Sequence, residues 1–508
     1  MDDSTGISKK KSLKVNYTQT ETPSSTENSS QAPNRQNREV QTDAHEIKEN
    51  IFAEFDLDSL LNFLKRVTPL VCSVLDRNSK SKAFDRYKLL SEADSTSISC
   101  LHVLEKSLSD EFCCSNISWN SVGTAIAAAY PLKKYNTPFS IDHVSWCEHN
   151  SSVDLWSLGR KDFDPKKPNL TLETDCCITC VSFHPELPAV IVAGKLNGEI
   201  LLWDISREDD PLLASTEAAI FNHREPITGL HWMLQYGKQN KIEFASSSLD
   251  GKILLWSYEA GTLKLDNGSF DSVLQFICIH RFVILAKQLP RNFHIKTRRE
   301  NAEIGVTSMT INSEDRNIFV IGIEGGGIFQ CLFDSLVPAT YASFSPISLK
   351  SPISMGFERH NGQVTTVQFS PFSRNVFLSA GTDGELRIYS LLQASYSPKP
   401  LLILQLPNGG INTAQWSPIR PLVFSCVSNN GQLHMWDLKV DEKSPIESIP
   451  LTVEKSSGLS LQNNKKNPSL LATSCSDGTV QVWELSGSVL MVETGEELQL
   501  QALSKNID

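Results

Sequence analysis

Two sets of residues in this chain have the types that nucleophilic hydrolysis uses: His223, Ser246 and Asp250, and again His360, Ser379 and Asp383. In that chemistry a histidine takes the serine proton and a carboxylate orients the imidazole. Neither serine stands in a Gly-x-Ser-x-Gly elbow, the sharp turn that exposes such a nucleophile. Two further clusters invite chemistry. Cys177-Ile178-Thr179-Cys180, with Cys176 beside it, has the two-residue gap of a zinc ligand pair, but it sits at the entry of a strand and no second Cys or His pair follows at ligand spacing. Glu324-Gly325-Gly326-Gly327 is rich in glycine but lacks the following Lys-Ser/Thr of a phosphate loop, so turn geometry accounts for it. The sequence therefore predicts no catalytic residue, no metal and no cofactor, and the chain reads as a non-enzyme.

The elements that hold these residues recur. In the stretch 364–391, VTTVQFSPFSRNVFLSAGTDGELRIYSL, alternating apolar residues, a Ser-Pro corner, a second apolar run and an Asp-Gly turn lead into a third short strand. A turn glycine followed five residues later by an aromatic marks the same unit elsewhere: Gly198 and Trp203, Gly251 and Trp256, Gly384 and Tyr389, Gly431 and Trp436, Gly478 and Trp483. Ser151 with Trp156 and Gly326 with Cys331 are weaker copies, which makes seven. These units resemble WD repeats, the blades of a β-propeller, and a blade that cannot bury both faces alone must stack into a ring. The expected fold is all-β: a seven-bladed WD40 propeller over 97–490, with blades near 117–158, 178–205, 227–258, 306–333, 364–391, 411–438 and 457–485. A long insertion is expected at 259–304, carrying the basic patch 296–299. Strand 97–104 is expected to complete the last blade and remove a free edge. The WD resemblance also gives the Ser–His–Asp sets a structural role, each histidine bonded to the turn aspartate and each serine to histidine and to the aromatic, Trp256 or Tyr389.

Composition sets the remaining bounds. The 508 residues carry a net charge of −11 with no long basic run, which argues against a nucleic-acid surface. No apolar run reaches the length of a membrane span, and the opening MDDSTGISKKK has no apolar core, so no membrane insertion is expected and the twelve cysteines read as reduced thiols inside a cell. Residues 1–50 are polar and almost free of large aliphatics, the composition of a disordered arm. Within them Thr18-Gln19-Thr20 and Val40-Gln41-Thr42 are β-prone segments resembling the Thr-Gln-Thr motif that adds a strand to the eight-kilodalton type of dynein light chain; ordinary tail composition is the other reading. The second has Arg38 upstream where the first has Asn16.

Residues 51–80 hold an amphipathic helix, with Leu57, Leu60, Leu61, Leu64 and Val67 on one stripe. Asp56 or Asp58 is expected to cap it and Pro69 to kink or split it. The stripe either folds onto the propeller or binds a partner. Residues 81–96 read as a linker and 491–508 as a C-terminal tail.

The order of arm, helix and propeller resembles the dynein intermediate chains. The wording of Ser118-Trp119-Asn120-Ser121, of Gly198 to Asp204, of Gln288-Leu289-Pro290-Arg291 and of Phe377 to Gly384 resembles the cytoplasmic dynein-2 type. The resemblance implies a non-catalytic motor subunit in cytoplasm, cytoskeleton and cilium, at the axoneme and basal body. It implies partners: the dynein-2 heavy chain, a companion intermediate chain, light chains of the eight-kilodalton, roadblock and Tctex types, the helix stripe serving the roadblock type, and intraflagellar transport particles. A WD40 adaptor or substrate receptor of a ubiquitin ligase is the alternative class.

Overall fold

The computed structural model describes residues 57–80 and 97–505, apart from 107–111, 133–149, 208, 218–220, 234–241, 265–269, 291–292, 294–301, 340–348, 394, 396, 407–408, 453–455 and 493. The two Gln-Thr motifs, the linker 81–96 and the basic patch 296–299 lie outside the described residues.

The first helix, α1 (Leu57–Lys80), has Asp58 in its first turn, where a carboxylate favours the helix N-terminus; residues 51–56 lie outside the described residues. It runs through Pro69 without ending. Proline removes one backbone donor, and next to it the Thr68 hydroxyl donates to the Leu64 carbonyl at 2.6 Å. Leu60, Leu61 and Leu64 are about half exposed and Val67 is half-buried.

Residues 97–490 form seven four-stranded antiparallel sheets. Six are built from consecutive strands: blade one spans 116–174, blade two 178–215, blade three 227–283, blade four 306–357, blade five 364–405 and blade six 411–450. The seventh takes three strands from 458–486 and its outermost from Ser97–Leu104, which pairs with Val480–Ser486 from Ser97↔Ser486 to Leu104↔Val480. The ring is thus a seven-bladed β-propeller closed by the chain's own first strand.

The repeat pattern has a physical origin at two positions of each blade. The turn glycines Gly198, Gly251, Gly326, Gly384, Gly431 and Gly478 all have positive φ. At Gly326 a Cβ would also stand 2.4 Å from the His360 carbonyl oxygen, so the Glu-Gly-Gly-Gly run is a hairpin turn between Ile318–Ile323 and Ile328–Leu332. Five residues on, Trp156, Trp203, Trp256, Cys331, Tyr389, Trp436 and Trp483 are buried. They belong to seven apolar clusters, one at each seam between neighbouring blades.

Two stretches differ from expectation. The insertion placed at 259–304 starts as an extension of blade three: Lys252–Lys264 and Phe270–Val283 stay paired out to Lys264↔Phe270. The tail 491–508 contains a helix, α2 (Glu496–Lys505), with Leu500 buried in the seam of blades five and six beside Trp416 and Leu422. It lies past the last turn-glycine unit and its polarity gives little sign of a docked face.

Candidate functional site

The first Ser–His–Asp set converges inside blade three. Asp250 follows the second strand at the hairpin turn, Ser246 lies within that strand, and His223 comes from the connection ahead of the first. His223 Nδ1 lies 3.1 Å from Asp250 Oδ1 and its Nε2 2.7 Å from Ser246 Oγ, which also accepts from Trp256 Nε1 at 2.9 Å. Burial pushes the Asp250 carboxyl upward. The hydrogen bond and charge of His223, joined by Lys252, outweigh that and hold it well below the usual carboxylate range. All four side chains are buried.

The second set has the same core in blade five: His360 Nδ1 to Asp383 Oδ2 at 3.0 Å and Nε2 to Ser379 Oγ at 2.7 Å. Burial again raises and His360 more than compensates, so Asp383 sits at about 2. Tyr389 departs from expectation. Its hydroxyl passes Ser379 and donates to the Glu358 carbonyl at 2.8 Å, because a phenol reaches further than an indole N–H. Asp383 also converges with His360 and Glu385, the one three-residue group among the described residues with metal-ligand spacing. His360 is engaged through both ring nitrogens and Glu385 pairs with Arg387 at 2.6 Å, so the group is satisfied internally.

The cysteines do not converge. Cys176 and Cys177 pack with Leu196, whereas Cys180 joins the seam of blades two and three. Burial pushes the Cys176 thiol to about 11 and that of Cys180 to about 12, which favours the protonated, weakly ligating form.

The innermost strands enclose a central channel of about 870 Å³, about half of whose lining residues are Ser, Thr, Asn or Gln. Three of these residues, Thr228, Thr307 and Thr365, together with Thr179 and Asn412, stitch the seams, a function sequence reasoning missed. Thr179, Thr228, Thr307 and Thr365 each donate to the carbonyl of the first residue of the next blade's inner strand, at 2.6, 2.8, 2.5 and 2.8 Å, and Asn412 does the same at 2.7 Å. Each stands at a register shift in its strand pair, the extra residue of a bulge being turned toward its neighbour. The signal was present: a Thr or Asn directly after the first apolar residue of five inner strands.

A last cluster holds α2. Arg420, fully buried in blade six, pairs with Asp437 at 2.6 Å, with Glu496 of α2, and with the Ser488 carbonyl at 2.8 Å. Every charge in it has a partner of opposite sign, which a buried ion pair requires.

Comparison with known proteins agrees with this architecture. The model of the dynein axonemal intermediate chain 3 WD40 domain matches residues 114–245 and 314–485, leaving out the long hairpin of blade three and the crossing to blade four. The chain is 36% identical to mouse cytoplasmic dynein 2 intermediate chain 2 over 75% of its length and 67% of that protein, and 34% identical to the human one over 70% and 62%. To rat dynein axonemal intermediate chain 2 it is 24% identical, over 54% of this chain and 36% of that one. The chain therefore matches about two thirds of the dynein 2 chains and a smaller share of the axonemal one. With seven closed blades, the same repeat grammar and this level of identity, the chain belongs to the WD-repeat dynein intermediate chain family.

Proposed function

We propose that this chain is a non-catalytic intermediate chain of a cytoplasmic dynein-2-type motor, acting in retrograde intraflagellar transport and cilium assembly, in the cytoplasm and cytoskeleton and at the ciliary axoneme and basal body. The propeller binds the heavy chain, being large enough for a stable interface of standard size. The arm gathers light chains: the eight-kilodalton type at Thr18, Gln19, Thr20, Val40, Gln41 and Thr42, and the roadblock type on the stripe of Leu57, Leu60, Leu61, Leu64 and Val67. A Tctex-type light chain, the companion intermediate chain and transport particles complete the partners. The observation that carries the reading is that the level of identity to dynein 2 intermediate chains, 34–36%, exceeds the 24% to an axonemal one. In support, the Ser–His–Asp sets are spent on bonds inside their blades and Leu60, Leu61 and Leu64 of α1 are exposed.

Light-chain capture tests it. Leu61→Glu with Leu64→Glu should release the roadblock type alone. Alanines at Gln19-Thr20 and Gln41-Thr42 together should abolish eight-kilodalton capture and leave the propeller's melting temperature unchanged, with the Gln41 pair the stronger because of Arg38. Two linked modest sites give one tight assembly, so either pair alone weakens binding. Retention of both light chains by all variants would remove the scaffold reading.

A further inference from the structure

In blades one to six the turn between the first and second strands and the turn between the third and fourth close the same end of the sheet, and in blade seven the first of these turns does so. The remaining turns close the opposite end. The exposed apolar side chains of the propeller's turns divide unequally between these ends. Val122 and Leu187 lie in first-to-second turns, and Leu336, Val337, Leu392 and Val440 in third-to-fourth turns. Leu336 is 81% exposed and Val440 69%. Among the described residues, no large hydrophobic in the opposite turns is exposed. Scattered surface leucines are ordinary, but confinement to one end of a ring marks an interaction surface.

The same end is cationic at its centre. Lys465 and Lys466, in the first-to-second turn of blade seven, and Arg316 in that of blade four line the channel, and no carboxylate does among the described residues. Both lysines are exposed. The chain also enters the ring here, since Ser97 pairs with Ser486 at the end of a third strand. At this end too Arg420, in the first-to-second turn of blade six, holds α2.

We infer that this end of the ring is the docking face, and that its occupant is a protein surface presenting apolar side chains flanked by carboxylates, the carboxylates meeting the lysines at the channel mouth. The inference rests on the proposed function, under which that occupant is the dynein heavy chain, and it says which side of the propeller the heavy chain covers.

The test uses the full chain, co-expressed with a dynein-2 heavy-chain tail and captured through it. Three variants alter the face: Leu336→Asp with Val337→Asp, Val440→Asp, and Lys465→Glu with Lys466→Glu. Arg224→Glu with Asn430→Glu places comparable charge on exposed turns of the opposite end. The face variants should weaken capture about tenfold or more, as truncation of central interface residues does, and the opposite pair less than twofold. Weakening by the opposite pair, or none by the face variants, overturns the inference. Self-association of the chain alone, lost on the same face variants, would make a second copy the occupant and also overturn it. Should a variant misfold, hydrogen exchange of the wild-type complex decides: protection must fall on the turns of this end. If the wild-type chain does not capture the heavy chain at all, the functional reading fails first and the docking face falls with it.

Discussion

Replacing Ser246 with alanine separates a structural network from a catalytic triad, and its cost can be worked from the geometry. The hydroxyl meets His223 Nε2 at 2.7 Å and accepts from Trp256 Nε1 at 2.9 Å, and both partners are buried. Ser246→Ala leaves two buried polar atoms without a partner, each at a cost of about 1–3 kcal/mol, so roughly 2–6 kcal/mol is expected in all. His223 keeps its bond to Asp250, and the methyl group fills most of the vacated volume, which places the figure toward the lower part of that range. Thermal and urea denaturation followed by tryptophan fluorescence and circular dichroism would read the loss. A change below about 0.5 kcal/mol, together with disappearance of a hydrolytic activity present in the wild type, would refute the structural assignment.

The carboxylates of the same networks predict acid sensitivity. Asp383 is depressed to about 2 against an unfolded value of 3.8, so its contribution, about 2 kcal/mol, is fully present above pH ~4 and lost as pH falls through about 2. Asp383→Asn should therefore flatten the pH dependence of stability between pH 4 and 2, measured by urea midpoints, and an unchanged slope would count against it. In blade five, His360→Ala should lower stability by about 1–3 kcal/mol for the same reason as Ser246→Ala. At α2, Glu496→Ala leaves Arg420 with Asp437 and the Ser488 carbonyl but without its bond to the helix, and a hydrogen bond to a charged group is worth about 1.5–3 kcal/mol. Limited proteolysis should then cut within 491–505 well before the propeller, and equal resistance to wild type would mean that Leu500, Leu503 and the Ser390–Ser504 bond suffice to hold the helix.

What the sequence disclosed and what it hid follow from distance along the chain. The blades were legible because both of their markers are local: a turn that needs positive φ at Gly251 or Gly384, and an aromatic five residues later that fills the seam. The pairing of Ser97–Leu104 with the last blade followed from the same count, since a strand without a partner has one unpaired edge to fill. The belt of Thr179, Thr228, Thr307 and Thr365 was not recognised, because a threonine after an isoleucine or valine looks like any β-former until the neighbouring blade supplies its carbonyl. The Arg420–Glu496 pair joins residues 76 apart, and nothing local marks either as buried. Tyr389 occupies the slot of Trp256, yet a phenol and an indole carry their donors at different reach, so one position made two different bonds.

The most direct test of the central claim is native mass spectrometry of the intact complex that the full chain forms in ciliated cells. This chain should be found in one assembly with a dynein-2 heavy chain, a second intermediate chain and light chains of the eight-kilodalton, roadblock and Tctex types. Recovery with a ubiquitin-ligase scaffold and no dynein subunit would contradict it.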